Sequence, residues 1–254
     1  MEVPDDAPPQ GWIVKGVTTY IYRDFIRWIR YRVGVVSTLV LPAAWLLFVG
    51  LALPVKFTGN YLDFITPGIL VMTILTAGIS SGSLLMFDKI LGFLNKFLAM
   101  PVPRESILVS KILFISVRGL IQATIILILA VLIGATMMNP LQYGLTYLIL
   151  FLFGVFISAF STTVALYLDD HDSFAAFTAM VTMPLFFASS ALMPYDVMPG
   201  WLSAIAHVNP LSFAIDAIRD VGAGSIPVIP IVLLLVFTAV VVVLSGYVFR
   251  KVTV

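Results

Sequence analysis

Three short stretches of this chain hold residue types that do chemistry in other proteins. Gly78-Ile79-Ser80-Ser81-Gly82 has the G-x-S-x-G spacing of a serine nucleophile. That pattern works where a sharp strand-to-helix turn lifts the serine toward a histidine base. Here it lies inside an apolar run, and the two histidines, His171 and His207, fall in separate polar segments. The same residues read better as Gly78-xxx-Gly82, a small-residue face for close helix packing. The second stretch, Asp169-Asp170-His171-Asp172, has metal-ligand side chains. Four consecutive residues rarely converge on one point, so it reads as a solvated loop, with Asp172 or Ser173 capping the next helix. The third is Arg118, the one charge well inside an apolar run. At the bilayer centre a charge costs on the order of 3 kcal/mol or more. Either Arg118 snorkels toward headgroups two turns away at Lys111, or it serves helix packing or a gate.

The elements that carry these residues are helices of membrane length. The 254 residues are 61% hydrophobic and 11% charged, whereas soluble domains are nearer half apolar and a quarter charged. Long apolar runs without strand alternation exclude an outer-membrane barrel. The absence of cysteine excludes disulfides and thiolate metal sites. The reading is an all-α integral membrane protein forming one transmembrane domain over residues 1–254.

Residues 1–12, acidic and proline-rich, read as a mobile tail. Residues 13–32 form an interfacial segment with a helix over 18–32. Ile21, Phe25, Trp28 and Ile29 line one face; Arg23, Arg27 and Arg30 line the other. Such a basic amphipathic helix lies in the interface, with Trp28 at headgroup depth. Six spans are expected within 33–249: 33–53, with Pro42 kinking it, then 64–86, 112–137, 143–168, 174–193, broken by Pro184, and 226–249. Residues 250–254 form a short tail. Lys15, Arg23, Arg27, Arg30 and Arg32 precede the first span, Lys89, Lys96, Arg104 and Lys111 lie between the second and third, and Arg250 and Lys251 follow the last. An even number of spans puts all of these on one side, which the positive-inside rule makes cytoplasmic, with both termini.

Two connections are more than loops. Between spans two and three, Ile90, Leu91, Leu94, Phe97 and Leu98 recur at helical spacing, with Lys89, Asn95 and Lys96 opposite. A short amphipathic helix along the cytoplasmic surface is expected, stopped by Pro101 and Pro103. Between spans five and six, Trp201, Ile205 and Val208 share one side of a helix over 198–208. Asn209 then caps a helix over 211–221, with Pro210 at its first position. Both are expected in or on the outer leaflet.

The expected spans carry no carboxylate, which argues against a proton- or sodium-coupled carrier. No G-x-x-x-x-G-K-[ST] phosphate loop occurs, so energy for pumping must come from another chain. A secondary carrier, a non-transport scaffold and an intramembrane enzyme using Ser80 are the rival readings.

FDKILGFLNKFLAMPVPRESILVSKIL resembles the loop between the second and third spans of ABC-2-type transporter permeases, with Asp88, Pro101, Arg104, Ser110 and Lys111 at the corresponding places. LMPYDVMPGWLSAIAHVNPLSFAIDAIRD is similar to that family's C-terminal signature at Pro194, Pro199, Trp201, Asn209, Pro210, Leu211, Asp216 and Arg219. The resemblance implies a half-transporter. Two copies, or two related chains, would pair with two ABC ATPase subunits, which hold ATP and Mg; this chain itself needs no cofactor and no metal. Asp88, Lys89, Leu91, Leu94, Lys96, Phe97, Pro101 and Arg104 would form the coupling surface on the ATPase, beside the interfacial helix with Arg23, Arg27, Trp28 and Arg30. Pro194, Trp201, Asn209, Pro210, Asp216 and Arg219 would cap the pathway's exit. The implied activity is export of a drug, lipid or lipid-linked glycan across the cytoplasmic membrane. Lipid surrounds the spans, and no nucleic-acid partner is expected.

Overall fold

In a computed structural model, residues 10–50, 61–98 and 105–252 are described, and the described residues are helical with short connections. Helix α1, Gln10–Arg30, begins eight residues before the expected start, so Gln10, Gly11 and Trp12 belong to a helix rather than a tail. Helix α2 is Arg32–Ala44, with Pro42 inside it. It continues as a π-helical segment, Trp45–Val49. Proline supplies no backbone donor to its turn, and the altered hydrogen-bonding register follows within one turn of it.

Helix α3 spans Tyr61–Ile90. Its 30 residues reach roughly 45 Å, longer than a bilayer's hydrocarbon core, so the span extends at both ends beyond the expected 64–86. A turn at Leu91 and Gly92 leads into a short helix α4, Phe93–Leu98. Helices α5, Glu105–Ile133, and α6, Pro140–Tyr167, follow. Helix α7 is His171–Phe187, shorter than the expected fifth span. Past a 3-10 turn at Tyr195–Val197 come α8, Gly200–Ala206, α9, Pro210–Gly222, and α10, Val228–Val252.

Among the described residues five segments are long and apolar enough to cross a membrane: Arg32–Val49, Tyr61–Ile90, Ser106–Ile133, Pro140–Tyr167 and Val228–Lys251. The chain is therefore multi-pass. The expected fifth span appears as α7, whose 17 residues reach roughly 25 Å. Its helix stops at Phe187, three residues past Pro184. The carbonyls it leaves are met from α9, because Asn209 donates from Nδ2 to Leu185 O at 2.7 Å and to Ala188 O at 2.8 Å.

Helix α3 is the hub, packed against α5, α6 and α9. Gly78 and Gly82 make this possible. A Cβ on Gly78 would lie 2.6 Å from Ile157 Cγ2, and one on Gly82 would lie 2.5 Å from Ser161 O. Backbones approach this closely only where both side chains are absent. Ser161 Oγ then accepts from Gly82 N at 3.2 Å and donates to Ile79 O at 2.6 Å. This is the packing expected of the glycine pair. Ser80 donates to Ala77 O at 2.5 Å, while His171 stacks on Phe87 and His207 lies tilted against Tyr195.

Candidate functional site

Charges gather at both ends of this bundle. The first gathering joins α1, the last turn of α3 and the first turns of α5. Lys111 Nζ lies 2.5 Å from Asp88 Oδ2 and 3.9 Å from Asp24 Oδ2. Arg23 Nη2 lies 2.7 Å from Asp24 Oδ1 and 3.9 Å from Asp88 Oδ2. Asp88 and Lys111 are each 2% exposed and Asp24 is 5% exposed. Two carboxylates and two cations thus neutralise each other at a three-helix junction. Burying charges is tolerable only with such pairing, and removing one partner leaves the other uncompensated. Tyr20, one turn before Asp24, is buried beside Leu85, Met86, Leu94 and Ile112. Burial pushes its hydroxyl pKa up, against the opposing charge of Arg23.

The expected amphipathic helix over 89–100 breaks in two here. Asp88, Lys89 and Ile90 complete α3, and Gly92 turns the chain at φ 70°, a region open mainly to glycine. So Ile90 and Leu91 do not share a helix face with Leu94. Leu91 is 57% exposed, Phe93 41% exposed and Leu94 6% exposed. Lys96 is exposed, with its Nζ 5.3 Å from the centre of the Phe93 ring. Lys89 turns the other way: its Nζ donates to Leu166 O at 3.3 Å, Leu168 O at 2.8 Å and Asp169 Oδ1 at 3.0 Å. A lysine suits the carbonyl-rich end of α6. The side chain of Phe97, and Pro101 and Arg104, lie outside the described residues.

On α1 the packed side overlaps the expected apolar face only in part. Tyr20 and Asp24 are buried, Phe25 meets Phe114 of α5 edge-on at 6.4 Å, and Ile29 is 52% exposed. Trp28 is half-buried, while Arg27 and Arg30 are exposed. Arg118 is 8% exposed, and its Nη2 donates to Ser80 Oγ at 2.6 Å. It is enclosed between α3 and α5 rather than stretched along the lipid face. Asp170, not Asp172 or Ser173, caps α7 by accepting from Ser173 N at 2.7 Å and Ser173 Oγ at 2.6 Å. These bonds lower its carboxyl pKa.

The second gathering lies at the opposite end. Helix α9 does not float on a surface. Leu211, Ala214, Ile215, Ala217 and Ile218 are fully buried in the main core. Asn209 accepts from Leu211 N at 2.9 Å as the expected N-cap, with Pro210 at the first helical position. Asp216 accepts from Ser190 Oγ at 2.7 Å and from Tyr195 OH at 2.6 Å. Burial, and then the bond to Asp216, push the Tyr195 hydroxyl up to about 12. Arg219 donates to Ser190 O at 2.7 Å and to Phe64 O at 3.1 Å, with its guanidinium 3.8 Å from the centre of the Phe64 ring. Burial lowers Arg219 to about 10, opposed by Asp216. Pro194 precedes the 3-10 turn carrying Tyr195. Trp201, Ile205 and Val208 form an outward apolar side, Trp201 being 68% exposed.

Sequence reasoning missed Asp24, Tyr195 and Ser190 as members of these junctions. Asp24 had one signal: it sits four residues before Trp28, at the edge of the apolar stripe. Ser190 and Tyr195 had none, since their partner is 21 or more residues away. Between α3, α6 and α7 lies an apolar cavity of about 210 Å³, walled by Leu75, Ile79, Phe156, Phe160, Phe174 and Phe177.

A family profile described as ABC-2 type transporter matches residues 16–221. The chain is 34% identical over 215 residues to a putative transport permease ycf38 of Cyanophora paradoxa, covering 82% of this chain and 74% of that protein. It is 28% identical over 223 residues to a probable doxorubicin resistance ABC transporter permease, DrrC, of Mycobacterium tuberculosis, covering 84% and 79%. It is 23% identical over 224 residues to the daunorubicin resistance ABC transporter permease DrrB1 of Streptomyces coeruleorubidus, covering 87% and 79%.

Proposed function

This chain belongs to the ABC-2 type transporter family as a membrane permease subunit, and from that premise we propose that it exports a hydrophobic or amphipathic compound using a separate ABC ATPase. The observation that carries the reading is the junction of Asp24, Asp88 and Lys111. The exposed turn of Leu91 and Phe93 hangs from α3 immediately beyond Asp88. A push on that turn reaches α3, and the ion pairs keep α5 and α1 attached to it as it shifts. A partner that changes shape on ATP hydrolysis has there a handle on three helices at once. ATP and Mg belong to that partner, and this chain's role is transport rather than catalysis.

The apolar, aromatic cavity between α3, α6 and α7 suits cargo with few polar groups. Two relatives are named for doxorubicin and daunorubicin resistance; a lipid or lipid-linked glycan also falls within the proposed hydrophobic or amphipathic class. The exposed apolar sides of α2, α7 and α10, including Val36, Met180, Met183 and Val243, are surfaces for lipid and for a second permease copy, identical or paralogous. The Lys and Arg distribution supports a cytoplasmic position for the end with α4 and for both termini, and the proposed setting is the plasma membrane.

The test replaces exposed contacts only. Leu91→Glu with Phe93→Asp should leave the protein folded and inserted yet abolish ATP-dependent export in vesicles with its ATPase, which would still hydrolyse ATP. Undiminished export would sink the coupling role. Leu94 is buried, so Leu94→Glu would report on folding instead. Transport that ran on an ion gradient without any ATPase would favour a secondary carrier.

A further inference from the structure

A cleft of about 770 Å³ opens between α1, the end of α3 and α5, within the ~300–1,000 Å³ common for ligand sites. Its walls are of two kinds. Arg23, Arg27, Arg30 and Arg118 face it with Asp24 as the one carboxylate, and Asp24 is already paired with Arg23 at 2.7 Å. Leu84, Phe87, Phe114 and Trp28 supply an apolar side. Among the described residues no carboxylate lies within ion-pair distance of Arg27, Arg30 or Arg118. Arg118 is 8% exposed, and its buried Nε has no hydrogen-bond partner. Its bond to Ser80 holds the guanidinium in place at one end. A buried donor left unmade is costly, and an arginine fork matches the oxygens of a phosphate.

The charges also differ in depth. Arg27 and Arg30 lie on the interfacial helix, while Arg118 lies two turns, roughly 10 Å, deeper along α5 than Lys111. A soluble anion would have no use for the apolar wall between them. We propose that the cleft between α1, α3 and α5 binds the phosphodiester headgroup of an anionic phospholipid, with Arg27 and Arg30 at its rim, Arg118 at its floor and an acyl chain along Trp28 and Phe114. This goes beyond the permease reading and needs no ATPase, so either can fail without the other.

The full chain, reconstituted in nanodiscs of phosphatidylcholine with a minor share of phosphatidylglycerol, is released and weighed by native mass spectrometry. Phosphatidylglycerol should be retained in preference to phosphatidylcholine. The double variant Arg27→Gln with Arg30→Gln should lose that preference, by about fivefold for each arginine removed. Arg118→Gln should lose it too, with Arg118→Lys in between. Lys251→Gln, a one-charge change like Arg118→Gln but on an exposed helix end, should keep it. Soluble glycerol phosphate should not displace the lipid. Equal retention of the two lipids overturns the proposal. So does an unchanged preference in the Arg27, Arg30 double variant, which alters exposed side chains only and remains informative if Arg118→Gln does not fold. Displacement by glycerol phosphate at millimolar concentration would mark a site for a free anion instead.

Discussion

The two charged junctions are built to opposite plans. At the basic end, Arg23, Asp24, Asp88 and Lys111 pair side chain to side chain across three helices. At the far end, Asn209 and Arg219 bind backbone carbonyls of Leu185, Ala188, Phe64 and Ser190. A side-chain ion pair follows its helices as they shift, because both arms have rotamers to use. A bond to a carbonyl at the end of a helix holds the backbone itself and tolerates little sliding. The difference teaches where movement enters: the far end is a clamp, the basic end a joint, in keeping with the proposed drive from a partner at the joint.

The sharpest way to break this contrast is at Lys111. Lys111→Met strands the buried Asp88, whose remaining cation, Arg23, is 3.9 Å away, and a loss of about 3–5 kcal/mol is expected, read as a lower melting temperature and poorer recovery from detergent. Lys111→Met combined with Asp88→Leu should regain most of that stability while export stays low. Full recovery of both would mean that the junction only holds the fold. Arg219→Met is next, with about 2–3 kcal/mol expected from the loss of charged bonds to two carbonyls. Unlike the Lys111 change, no second substitution at Asp216 should rescue it, because none restores a donor to the Ser190 carbonyl.

Gly82→Ala tests the frame between the two ends. The new methyl would meet Ser161 O at 2.5 Å, and overpacking of this kind costs about 1–3 kcal/mol. Thermal melting should show it, with Gly144→Ala, which has open space around it, as the harmless control. The smallest effect is at Asp170. Its folded carboxyl has a lowered pKa, so its capping contribution is present above the ordinary carboxylate pKa and is lost as pH falls through the lowered one. Hydrogen exchange at the Ser173 amide should quicken, relative to its intrinsic rate, only below that window. In Asp170→Asn the pH step should vanish.

Much of this could be read directly along the chain. The apolar runs marked spans two, three, four and six because hydropathy over twenty residues is a local sum. Pro210 after Asn209 marked the start of α9 because capping acts within one turn. The helix at the expected fifth span ends earlier than 193, for a reason no local sum carries. Residues 188–193 carry no charge and little bulk, but the helix stops at Phe187 and Asn209 takes up the Ala188 carbonyl from 21 residues on. The break at Gly92 was equally hidden. Ile90, Leu91 and Leu94 do recur at helical spacing, but a periodic pattern is silent about a single left-handed residue.

The sequence by itself determined that this is a multi-pass helical protein of the ABC-2 type, since composition, run length and short signatures survive without knowing any contact. Only the tertiary structure decided what its charges do. Asp24 and Asp88 look like surface residues on amphipathic turns, and Arg118 like a snorkelling cation. Which of them is buried depends on the rotation of α1 against α5 and on where α3 ends, and neither is a property of any one segment. A charge's role in a membrane protein is set by the opposite charges around it, and here the shared cation Lys111 is 87 residues from Asp24 and 23 from Asp88.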